Sequence, residues 1–146
     1  MTRWLLVLLG AGLLLAACGN VSLASATKSW VAQSGFRQNL PTLTHDVQHS
    51  AAQLRDADAS VNDLHTVCAV LDVDTEEANS SLPTPDNQAT SLLSKAYNDF
   101  GAGANKCYDA ARDPKARTSA LAWLQRGMAA LSEGTSRINV ATGAVP

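Results

Sequence analysis

The chain has 146 residues, with 11 Lys and Arg against 13 Asp and Glu and a formal net charge of −2. So mild a balance argues against a nucleic-acid-binding surface and against a polybasic membrane patch. The length suits one folded domain rather than two, and a composition rich in Ala and Leu with few aromatics favours helices.

At the N-terminus, Arg3 is the only charge before an apolar run from Leu5 to Leu15. A positive start followed by about a dozen apolar residues is the plan of a secretory signal. The run is shorter than the roughly 20 residues needed to span a bilayer. It ends in Leu15-Ala16-Ala17-Cys18, which resembles the lipobox of bacterial lipoproteins. The resemblance implies that residues 1–17 are an export signal that is removed. Cys18 then becomes the first residue and carries a diacylglycerol thioether, with palmitate as a typical acyl chain. The protein would be anchored at the extracytoplasmic face of the cell membrane. The competing reading is an ordinary signal with a chance cysteine at its end; position, small residues and Cys together favour the lipobox. Asn20 is not the Asp that resembles an inner-membrane retention signal, and no leaflet is read from it. Asn20-Val-Ser22 and Asn79-Ser-Ser81 match glycosylation sequons by chance. Residues 18–27 read as the lipidated N-terminus and a short polar tether, residues 28–140 as a single domain, and residues 141–146 as a frayed tail.

Four segments carry helical periodicity. Phe36, Leu40, Leu43, Val47 and Leu54 share one face of a helix expected from about 28 to 56, kinked at Pro41. Ser60 caps the second segment, 61–80, with Asp63 as a weak box partner. Its stripe includes Leu64, Cys68 and Leu71, and Pro83 and Pro85 close it. Asp86 caps the third, 87–110, whose stripe includes Leu93, Phe100, Gly103 and Cys107. Gly101 and Gly103 weaken it locally, and a close helix crossing would explain them. Asp113-Pro114 opens the fourth, with Leu121, Leu124, Met128, Leu131, Thr135 and Ile138 alternating by threes and fours. With no convincing strand, the reading is all-α: an up-down-up-down four-helix bundle.

Cys68 and Cys107 remain as an even pair in an exported domain, where pairing is the default. Closing a loop of about 40 residues is worth roughly 4 kcal/mol in the chain-entropy estimate. One detail strains the pairing. Measured from the intervening prolines at about 1.5 Å per residue, the two cysteines differ in height by roughly 10 Å. A ragged loop around Ser80 to Asn87 would have to absorb this.

Candidate chemistry is sparse. His45 and His49 are spaced to share a metal, but they face away from the apolar stripe and lack a compelling third ligand; Gln53 and Asp56 are nearest. An exposed polar helix face is the favoured reading, and no metal site is assigned. Asp72, Asp74, Glu76 and Glu77 superficially resemble a calcium loop without its turn glycine, and read as a solvated helix face or the acidic part of a partner surface. Gly134-Thr-Ser136 lacks a nucleophile-elbow frame, and a His65–Cys68 dyad would lose its thiol to the disulfide. No cofactor is implied. Tyr97, Tyr108 and Trp123 lie off the main stripes, either as rims of the core or as the lining of a ligand groove between helices.

The Ala-rich chain, with its lipobox and Leu82-Pro83-Thr84-Pro85-Asp86 between two Cys-bearing helices, resembles small lipoproteins of actinobacteria. That implies a location more than a chemistry. The expected function is a lipid-anchored, non-enzymatic envelope domain that engages the membrane through Cys18 and binds an envelope protein, with no nucleic-acid partner. A lipoprotein holding a small molecule, lipid or peptide between its helices is the second reading, and an enzyme the third.

Overall fold

The computed structural model describes residues 21–144, so residues 1–17, expected to be an export signal, and Cys18 lie outside the described residues. Five helices follow in chain order: α1 (Leu23–Gln33), α2 (Phe36–Arg55), α3 (Val61–Ser80), α4 (Asn87–Ala110) and α5 (Pro114–Thr142). The described residues are all-helical, without a strand.

Side chains at the helix starts satisfy the amides that a first turn leaves free. Ser60 accepts from the Asp63 amide at 3.1 Å and donates to its carboxylate at 2.7 Å, closing a box at the head of α3. Asp86 accepts from the Ala89 amide at 2.8 Å. Asp113 accepts from the Lys115 amide at 2.9 Å, with Pro114 in the first helical position of α5.

The first expected helix is corrected: it is two helices, and the break is not at Pro41. The chain turns at Ser34 and Gly35, where Gly35 adopts φ 69°. That left-handed conformation is open to glycine and costly for other residues. Pro41 sits inside α2. The tether is corrected too. Ser22 caps a helix that begins at Leu23, and Thr27 is fully buried with its hydroxyl donating to the Leu23 carbonyl at 2.8 Å. Residues 23–27 therefore belong to the folded domain. At the other end α5 continues to Thr142, which is buried, and Gly143 stops it with φ 69°.

Helices α2, α3, α4 and α5 each pack against the next in chain order, and α5 returns to touch α2. Helix α1 packs on α2 and α5. Leu43, Leu54, Leu64, Leu71, Leu93 and Phe100 fill the centre. Ser50, also fully buried, donates its hydroxyl to the Val67 carbonyl across the α2–α3 contact. Helices α4 and α5 share the most extensive contact. They approach too closely for a methyl group: a Cβ on Gly103 would lie 2.5 Å from Leu124 Cδ2, and one on Gly127 2.5 Å from the Phe100 ring. Gly103 thus marks the close crossing expected from the sequence, whereas Gly101 faces open space.

Cys68 and Cys107 lie at disulfide-bonding distance, with Cα atoms 5.7 Å apart and a sequence separation of 39. The height mismatch is absorbed by starting α4 well beyond the end of α3. Cys107 is 20 residues into α4 from Asn87, and Cys68 is 12 from the end of α3 at Ser80, a difference of about 12 Å of helix. The segment 81–86 spans this step and is held from both sides. Trp30 on α1 donates its indole N–H to the Ser81 carbonyl at 2.9 Å, and Arg137 on α5 binds Asp86.

Candidate functional site

A groove of about 440 Å³ runs between α2 and α5. Its apolar lining is Leu40 from α2 with Met128, Leu131 and Val140 from α5. Thr44, Ser132, Thr135, Ser136 and Asn139 add hydroxyl and amide groups, and no charged side chain lines it. The Thr44 hydroxyl donates to the Leu40 carbonyl at 2.7 Å, leaving its oxygen free to accept. Chemically, the groove can bury an apolar face and offer hydrogen bonds around it. The sequence does not mark these residues as a groove, because Leu40, Met128, Leu131 and Thr135 sit on core stripes. A signal was present nonetheless: Ser132, Thr135, Ser136 and Asn139 form an uncharged stripe at helical spacing.

A second cluster straddles α2 and α3. His45 Nδ1 lies 3.1 Å from Asp46 Oδ1, and the His45 and His49 rings are 5.9 Å apart. Both histidines are exposed. Among the described residues, no group of three or more His, Cys, Asp or Glu is arranged to hold a metal ion. In the acidic run, Asp72 and Asp74 are half-buried while Glu76 and Glu77 are exposed. Glu77 accepts from the Asn39 side-chain amide at 3.1 Å. Asp46 Oδ2 is buried and has no donor partner. Its neighbour across the helix contact is the Asp74 carboxyl, itself an acceptor unless protonated. A hydrogen bond between two carboxyl groups requires a proton on one of them. Sharing it with Asp46 pushes Asp74 up to about 6, with burial and the charges of Asp46 and Glu77 acting in the same direction.

At the opposite end of α5, a wide-open hollow of about 700 Å³ is lined by His65, Lys106, Tyr108, Asp109, Arg112, Asp113 and Lys115, among others. Its charges are mixed and partly committed: Lys106 pairs with Asp109 at 2.9 Å, and Asp113 caps α5. His65 stacks on Tyr108 with ring centres 4.5 Å apart. It forms no dyad with Cys68, whose sulfur faces Cys107.

The suggested aromatic groove is corrected, because Tyr97, Tyr108 and Trp123 lie in three different places. Tyr97 is buried beside Phe36, Leu43 and Ala78 on a cavity of only about 10 Å³, and burial pushes its phenol up to about 12. Tyr108 is exposed, stacked on His65. Trp123 is half-buried, with the Arg126 guanidinium 3.8 Å above its ring. Tyr97 and Tyr108 share a side of α4, but 11 residues separate them by about 16 Å along its axis.

No described helix is long and apolar enough to cross a membrane. Comparison of the chain with protein-family models, with curated proteins and with solved structures finds no match.

Proposed function

We propose that this chain is a lipid-anchored, non-enzymatic domain of the cell envelope. Cys18 holds it at the extracytoplasmic face of the membrane, and the α2–α5 groove engages another envelope protein. Helices α2 to α5 act as an up-down-up-down four-helix bundle, with α1 as an addition at one end. The uncharged lining of the groove carries this reading. Covering charged groups costs desolvation, whereas an apolar surface with a hydroxyl rim is cheap to cover and typical of the centre of a protein contact. An apolar helix face or a peptide suits its length along α5. A non-enzymatic role is supported by the commitment of the Cys68 thiol and by the position of the acid pair. Neither Asp46 nor Asp74 lines the α2–α5 groove or the hollow around His65 and Tyr108.

The test is photo-crosslinking in intact cells from a reactive residue at Ser136, with Ser119 at the far end of α5 as control. A discrete protein adduct from Ser136 alone, lost on Met128→Lys, supports the partner reading. The groove volume also falls within the range of small-ligand sites, which favours a neutral small molecule as the second reading. A non-protein mass retained by the purified protein, with no crosslinked protein, would replace the first reading with the second. The anchor is tested separately by the intact mass of membrane-extracted protein: a diacylglyceryl addition lost on Cys18→Ser.

A further inference from the structure

The net charge conceals an uneven distribution. From residue 19 to residue 45 the chain contains no Asp or Glu, and its only charged side chains are Lys28 and Arg37. No acidic residue follows Glu133 either. The fold brings these two acid-free stretches together. Lys28, Val31 and Ala32 from α1, Arg37 and Gln38 from α2, and Thr142 to Ala144 at the end of α5 line one hollow of about 500 Å³. No acidic side chain lines it. Two acids lie on neighbouring segments, and both are engaged, Glu77 by Asn39 and Asp86 by Arg137. Lys28 and Arg37 make no ion pair among the described residues. Exposed apolar side chains flank the same elements: Val21 and Leu23 at the start of α1, and Val140 in the last turns of α5.

Distance supplies the second argument. Because α1 begins at Leu23, the backbone from Cys18 to Leu23 reaches at most about 18 Å. Lys28 lies about 8 Å further along α1. A chain anchored at Cys18 therefore keeps Lys28 within about 26 Å of the headgroup layer. The Lys115 end of α5 stands about 40 Å from the Thr142 end. An anionic bilayer surface attracts cations within about a Debye length, each contributing modestly.

We propose that the α1 end of the domain rests on the membrane, with Lys28 and Arg37 meeting the phosphates of anionic phospholipid headgroups. The inference rests on the reading of Cys18 as the lipid-bearing residue. It differs from a polybasic patch in that the anchor supplies the binding and the two cations set the orientation. With Lys28 and Arg37 turned to the bilayer, the hollow around His65 and Tyr108 points away from it.

The test uses the chain expressed from its full coding sequence, recovered from membranes and reconstituted into vesicles of phosphatidylcholine, with or without phosphatidylglycerol. Acylation of Lys28 and Lys115 by an amine-reactive ester is followed by peptide mass mapping. The expected result is several-fold slower labelling of Lys28 on phosphatidylglycerol vesicles than on phosphatidylcholine alone, with Lys115 unchanged. The difference should collapse in high salt and in Arg37→Glu. Equal labelling of Lys28 on both vesicles overturns the proposal, even where intact mass shows lipid on Cys18. If intact mass shows no lipid, the anchor reading fails by itself. The same labelling is then read on chain tethered to nickel-chelating vesicles by a histidine tag in place of residues 1–17, and the same two outcomes decide.

Discussion

Arg137, near the end of α5, grips Asp86, which caps α4 from 51 residues earlier in the chain. Arg137 Nε lies 3.0 and 3.1 Å from the two carboxylate oxygens, and Nη2 lies 2.6 Å from one of them. The Asp86 carboxylate is almost fully buried, while the Arg137 side chain keeps about a third of its exposure. The same carboxylate thus serves the first turn of α4 and ties that turn to α5. Hydrogen bonds from Arg137 hold Asp86 below the usual carboxylate range, against the opposing effect of burial.

Arg137→Ala leaves that carboxylate buried with only its capping amides. The expected outcome is a loss of stability, read as a lower urea midpoint at neutral pH. Asp86 has a lower pKa folded than unfolded, so its contribution is complete above the ordinary carboxylate value and lost as pH falls through the folded value. The variant should therefore show a smaller loss of stability on acidification than the parent.

Asp74 has the opposite sign. Its folded pKa of about 6 exceeds the ordinary value of 3.8, so the folded state binds the extra proton between those values. Stability from this group is complete below the lower value and is lost as pH rises through the upper one. Denaturation midpoints measured from pH 4 to pH 7 should fall less in Asp74→Asn than in the parent. An equal fall in both would show that the Asp46–Asp74 contact holds no shared proton.

Reducing Cys68–Cys107 frees a loop closed over 39 residues. Chain entropy sets the cost at about 4 kcal/mol, a large part of a typical domain's stability. Denaturation with and without a reductant reads this directly, and the Cys68→Ala/Cys107→Ala double variant should lose its response to the reductant.

Gly127 and Gly101 make a matched pair. A methyl at Gly127 would meet the Phe100 ring at 2.5 Å, whereas one at Gly101 meets nothing within 4 Å. Gly127→Ala should cost about 1–3 kcal/mol through overpacking. Gly101→Ala should stabilise α4 by about 0.5–1 kcal/mol through helix propensity. Thermal unfolding of the two variants should move in opposite directions.

The starts of α3, α4 and α5 are legible in Ser60, Asp86 and Asp113-Pro114 because capping is local: the residue and the amide it serves are two or three positions apart. Gly35 is harder to see. The apolar phase of Phe36 and Leu40 suggests an unbroken helix, and Pro41 offers a more conspicuous place for a bend. The start of α1 is hidden for another reason. Small residues such as those from Leu23 to Thr27 are indifferent in composition, and burial of Thr27 makes them part of the fold. The α2–α5 groove is least legible, since it forms between helices far apart in the chain. The three aromatics suggested as the lining of a groove between helices mislead because angular position on a helix carries no information about height along it.

The adjacency of α1 to the last turn of α5 bears on how the protein can be handled. Ala144 borders the same hollow as Lys28, so a reporter fused beyond it would emerge beside the N-terminal helix and compete with whatever that surface meets. The turns at 56–60 and 111–113 lie away from this hollow, joining α2 to α3 and α4 to α5. An epitope inserted at Asp58, which is exposed, would leave both the hollow and the α2–α5 groove uncovered.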